Sequence, residues 1–101
     1  MSKNILALDP ASYVTGWAIF SLNDKNEAKL IKYGSFKIPK GMKIPQRMSL
    51  IREKVNLLID KSKATNLITE RPFQGPNAHT FMVLSMGFGI ISAISHEKNI
   101  P

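Results

Sequence analysis

Residues 5–20, ILALDPASYVTGWAIF, constrain the fold more than any other stretch of this 101-residue chain. Ile5, Leu6, Ala7 and Leu8 form an unbroken apolar run of strand length, which suits a central strand covered on both faces. Asp9 follows at once and Pro10 ends the pairing, because proline has no backbone donor and holds its predecessor in extended geometry. Asp9 is therefore predicted at the carboxyl end of the strand, the edge where open α/β sheets keep their ligands. Ala11, Ser12 and Tyr13 make a turn, Thr15 and Gly16 permit close backbone approach, and Trp17, Ala18, Ile19 and Phe20 return as an antiparallel strand. An aspartate bonded to the amides of its own turn is the other reading of Asp9.

A chain of this length makes one domain, read here as residues 1–101, with a core large enough to fold. With no cysteine, disulfides and thiolate metal sites are excluded, which fits a reducing compartment. The first strand starts almost at Met1, leaving no room for a signal peptide, so the expected setting is the cytoplasm. Charge is unevenly spread: eleven of the fourteen Lys and Arg but three of the seven acids lie from Lys25 to Lys63, a net +8 against −1 elsewhere. Such a block attracts polyanions and makes any nucleic-acid binding strongly salt-dependent; its equal alternative is a solvated lysine face.

After a turn at Asn23, Asp24, Lys25 and Asn26, residues 28–38 read as a third strand. Lys29, Lys32, Lys37 and a mid-strand Gly34 mark it as an edge. Pro45 suits the first turn of a helix in which Met48, Ile51, Val55 and Leu58 form the apolar face, with Arg47, Arg52, Lys54 and Lys61 away from it. Leu67, Ile68 and Thr69 make a short fourth strand that ends, like the first, in an acid: LALDP is echoed by LITERP. If the strand, helix, strand crossover makes the two strands parallel neighbours, Asp9 and Glu70 project from the same edge. Paired carboxylates repel unless a cation joins them, and hard oxygen ligands point to Mg²⁺ or Mn²⁺. A salt bridge from Glu70 to Arg71 or a nearby lysine is the alternative. Phe73, Gln74, Gly75, Pro76 and Asn77 form an exposed loop, and a helix begins at Ala78. Its apolar part, residues 81–94, is fourteen residues long, short for a membrane span, and apolar nearly all round, so one face is expected on the sheet and the other in a twofold dimer contact.

These residues resemble the RuvC family of Holliday-junction resolvases, within the ribonuclease H-like superfamily. LDPASYVTGWAIF is similar to the family's opening aspartate, proline, serine and threonine-glycine pattern, and ITERPFQGPNAHTFMVLSMGFG to its glutamate, aromatic loop and Asn-Ala helix start. The likeness covers essentially the whole chain, with residues 23–63 matching in layout alone. It implies an α/β fold of ribonuclease H-like type, a mixed sheet of three antiparallel strands then a parallel one, with helices. It also implies a bacterial or phage-encoded endonuclease that hydrolyses phosphodiester bonds at four-way DNA junctions by a two-metal mechanism, with Asp9 and Glu70 as catalytic metal ligands. Arg71, Lys40, Lys43, Arg47 and Asn77 would contact DNA, Phe73 would wedge at the junction centre, and residues 78–98 would form a homodimer helix.

The pattern departs in one respect. The family carries a fifth strand and two further acids on a last helix, and neither is found here; Asp24, Glu27, Glu53, Asp60 and Glu97 do not substitute for them. The chain therefore reads as the amino-terminal portion of such a nuclease. Two other classes stay open: a non-catalytic DNA-binding or dimerisation module, and an actin-like nucleotide phosphotransferase fragment, which shares the first strand but has glycine where Ala11 stands.

Overall fold

The computed structural model describes residues 3–11, 13–70 and 77–101. The elements run β1 (Lys3–Pro10), β2 (Val14–Leu22), β3 (Ala28–Lys37), α1 (Ile44–Ser62), β4 (Asn66–Thr69) and α2 (Ala78–Glu97). They build one sheet of order β3-β2-β1-β4, in which β1 and β4 are parallel and the other pairs antiparallel. The lysine-rich β3 is thus an edge strand, and β1 is central between β2 and β4.

Residues directly opposite each other in a sheet share a face, so the register sorts the side chains. Leu6 and Leu8 lie opposite Ile19 and Trp17 on β2 and Leu67 and Thr69 on β4. That face carries both helices: Leu6 and Leu8 are buried in one cluster with Met48, Ile51 and Val55 of α1 and Val83, Ile91 and Ile94 of α2. The other face, with Ile5, Ala7, Ala18, Tyr33 and Ile68, is covered by no described helix or strand; Tyr33 is 74% and Ile68 56% exposed. The apolar run from Ile5 to Leu8 is therefore covered on one side among the described residues, not on both as its composition predicts.

In α1, Pro45 stands in the first turn and the Gln46 side chain accepts a hydrogen bond from the Lys43 backbone N–H, 3.2 Å away. Ile59 replaces Leu58 as the deeply buried residue of its last turns. In α2, the Asn77 side chain accepts from the Thr80 N–H at 3.1 Å, capping the helix. At twenty residues α2 exceeds the fourteen-residue apolar run, and by length and composition it meets the requirements of a membrane span. Its Val83, Gly87, Ile91 and Ile94 are nevertheless buried in the fold, while Met82 and Met86 stay exposed. Beyond it, Ile100 is buried and the Leu67 N–H donates to the Pro101 carbonyl at the open edge of β4.

Two glycines should respond in opposite directions to alanine. A Cβ at Gly34 would stand 2.7 Å from Cζ2 of Trp17. Gly34→Ala is expected to destabilise by about 1–3 kcal/mol through overpacking. A Cβ at Gly89, inside α2, meets nothing within 4 Å, so Gly89→Ala should stabilise by ~1 kcal/mol. Thermal unfolding of the two variants checks both signs.

Candidate metal centre

Leu8 pairs with Thr69 in the parallel register, so the next step along both strands sets Asp9 beside Glu70. Parallel neighbours lie ~4.8 Å apart and leave the sheet in the same direction, which carries both carboxylates to one edge. By alternation both fall on the face with no helix over it. An open cleft of about 440 Å³ contains Asp9 and Glu70 together, floored by Ala7, Gly16, Ala18 and Ile68. Gly16 sits opposite Asp9, and a Cβ there would come 3.9 Å from the Asp9 Cβ, so its absence leaves room around the carboxylate.

Both acids are exposed, and among the described residues neither has a hydrogen-bond or ion-pair partner. Among the described residues the turn after Asp9 is closed by the Ala11 N–H donating to the Val14 carbonyl; Ser12, which the alternative of Asp9 bonded to its own turn involves, lies outside them. Arg71 and Phe73 lie outside the described residues. The donor set, two aligned carboxylates without a cationic neighbour among the described residues, fits a hard divalent ion. No group of three or more His, Cys, Asp or Glu is assembled among the described residues, so the site there rests on two acids.

The basic residues assort into two kinds. Lys40 and Lys43 are exposed in the segment between β3 and α1, and that segment is tied to the turn after Asp9 because the Ile38 N–H donates to the Tyr13 carbonyl at 2.8 Å. Arg47, expected on the outer face of α1, is instead 5% exposed, with its guanidinium carbon 4.7 Å from the centre of the Tyr13 ring. Four residues before Ile51, it stands on the apolar stripe. The aromatic face of Tyr13 compensates the charge there. Asn77 is exposed, but its Oδ1 is engaged in the α2 cap. Tyr13 is the residue that sequence reasoning passed over; its signal was an aromatic in the turn after Asp9 and an arginine on a helical stripe.

The profile of the family described as crossover junction endodeoxyribonuclease RuvC matches residues 5–101. The crossover junction endodeoxyribonuclease RuvC of Chlamydia pneumoniae is 25% identical over 100 residues, covering 99% of this chain and 60% of its own length. That of Alkaliphilus metalliredigens is 33% identical over 98 residues, covering 95% of this chain and 59% of its own length. The chain thus spans about three fifths of the length of these curated relatives. Among solved structures, Thermus thermophilus RuvC in complex with Holliday junction substrate superposes with a TM-score of 0.83 at 13% identity, over 97% of this chain and 62% of that one. The likeness shows the fold, the mixed ribonuclease H-like sheet that the sequence implied.

Proposed function

We propose, because this chain belongs to the RuvC family of crossover junction endodeoxyribonucleases, that it acts on four-way DNA junctions as a structure-specific, metal-dependent phosphodiesterase. The observation that carries the reading is the pair Asp9 and Glu70, brought by adjacent parallel strands into one open cleft. In this reading Asp9 and Glu70 would hold the divalent ions, Mg²⁺ or Mn²⁺, of a two-metal site. When bound, the ions supply Lewis acidity to the scissile phosphate and charge stabilisation for the leaving 3′-oxygen. The chain's own contribution is to hold the two carboxylates at a sheet edge open to a strand of DNA.

Lys40 and Lys43, exposed beside the turn that follows Asp9, bind phosphates and position the strand without reading its sequence. Arg71 and Asn77 join them in this proposal, and Phe73 stacks on bases at the crossover. Arg47 leaves the phosphate-binding set: buried against Tyr13, it steadies the turn that follows Asp9. We read the exposed face of α2, with Met82 and Met86, as the contact of a homodimer rather than a membrane surface, and the setting as cytoplasmic. A twofold dimer presents one site to each of the two symmetric strands of a junction. Two acids make a weak cation site, since affinity follows ligand number and charge. That favours a second reading, a junction-binding module that does not cut.

The deciding experiment is nicking of a synthetic four-way junction against matched duplex, in Mg²⁺ and in Mn²⁺, with the chain and its Asp9→Asn variant. Symmetric junction cuts lost in the variant are expected for the nuclease. Tight junction binding without cuts would establish the binding module, and neither binding nor cutting would overturn both. Binding should also weaken steeply with salt, and Lys40→Ala and Lys43→Ala should each flatten the slope of log K against log salt by about one. Titrations at four salt concentrations measure this.

A further inference from the structure

A second concavity lies on the helix side of the sheet, away from the acids. Of about 630 Å³, it runs between β2 and β3 on one side and the second half of α1 on the other. Its walls are Trp17, Ile19, Ile31, Phe36, Leu57 and Leu58. Ile31 is 56% and Leu57 46% exposed, so the groove leaves large aliphatic surface open to water. Ile31 is the extra residue of a β-bulge opposite Ile19 and Phe20, and the bulge swings it away from the regular alternation. Lys32, Lys54 and Lys61 also line the groove, with no ion pair to any of them and no acid in the lining among the described residues.

We propose that this groove docks an acidic, amphipathic helical segment of a partner protein. The apolar walls and the lysines call for a ligand that is apolar along one stripe and anionic on its flanks, the pattern of a helix laid in a groove. A second copy of this chain is the wrong partner by charge: its net charge is +7, and α2, its most apolar exposed element, has its single acid, Glu97, engaged with Arg52. DNA would satisfy the lysines but leave the aliphatic walls without a complement, because nucleic-acid interfaces are dominated by polar and charged contacts. Position supports a separate function too. Asn4 and Ser62 close one end of the groove. Asn4 lies five residues up β1 from Asp9, roughly 16 Å along the strand. A segment seated at that end leaves the Asp9 and Glu70 edge clear; among the described residues the groove meets the acid cleft only at Trp17, which lines both.

Trp17 is the only tryptophan and lines both the groove and the acid cleft, so its emission counts as occupancy of the groove only where the groove variants abolish the change. The probe is a synthetic eighteen-residue peptide with Leu and Phe on one helical face and Glu on the flanks, carrying a fluorophore for anisotropy. It is titrated into the 101-residue chain, into Leu57→Ser, and into the double variant Lys54→Glu, Lys61→Glu. All three are also titrated with junction DNA as a check on folding. Expected are saturable binding with a shift in Trp17 emission, at least tenfold weakening in either variant, and recovery by the double variant with a peptide carrying Lys in place of Glu. Equal binding by a peptide of the same composition in shuffled order, undiminished binding by the variants, displacement of the peptide by junction DNA, or no binding of the peptide would each overturn the proposal.

Discussion

Manganese should raise the unfolding temperature of the wild-type chain and leave those of Asp9→Asn and Glu70→Gln unmoved. In metal-free buffer the order should reverse, with each variant as stable as the wild type or slightly more so. The two carboxylates leave adjacent parallel strands into one cleft and have no cationic partner among the described residues, so without an ion they only repel. Binding to the folded state alone stabilises by RT ln(1 + [L]/Kd); at tenfold excess over Kd that is about 1.4 kcal/mol. For a chain of this size the corresponding shift is roughly 6–11 °C. Under the proposed nuclease reading, junction cutting should fall further. Even groups that only orient a metal ligand cost about 10–100-fold when removed, so loss of Asp9 itself should cost at least about a hundredfold. Calorimetric scans with EDTA and with Mn²⁺ measure the first effect, and single-turnover cutting the second. A wild type indifferent to Mn²⁺, with Asp9→Asn less stable than the wild type in EDTA, would mean that the carboxylates serve the fold and not an ion.

The site was more legible than the layers around it. Asp9 and Glu70 each end an apolar strand with a proline within two residues, and the strand, helix, strand spacing made a parallel pairing the economical arrangement; the Leu8 to Thr69 register is that arrangement. Edge position was readable in β3 because lysines at an edge discourage pairing with other molecules. Burial was harder. Ile5 and Ala7 are as apolar as a two-sided core strand requires, yet no described element covers them, since composition gives what a face would bury and not whether a partner layer is present. Arg47 failed for a related reason: its charge argued for solvent and its helical phase, four before Ile51, for the core. Phase prevailed because Tyr13, distant in sequence, offers the guanidinium an aromatic face. A cation–π contact between a turn and a helix leaves no periodic trace in a sequence.

Leu6→Ala should bring the chain close to unfolding, whereas Ile68→Thr, on the other face of the same sheet, should change stability little. Leu6 is fully buried at the centre of β1, opposite Ile19 and Leu67 and beneath both helices. Its truncation removes buried methyl groups and leaves a cavity, at a cost of about 3–5 kcal/mol. A domain of this length has about 5–15 kcal/mol in total. The loss is a large fraction of that, and because β1 also carries Asp9, metal binding should weaken with it. Ile68 is 56% exposed, and threonine keeps its β-branched preference for a strand, so the change should stay within about 0.5 kcal/mol. Urea unfolding compares the two: the Leu6→Ala midpoint should drop by about two to three molar at an m-value of ~1.5 kcal/mol/M, and the Ile68→Thr midpoint should barely move. The contrast also tests the bare face. If Ile68→Thr costs as much as Leu6→Ala, that face is covered in solution by a second copy of the chain, and the loss will grow with protein concentration. A loss independent of concentration would place the cover within the chain itself.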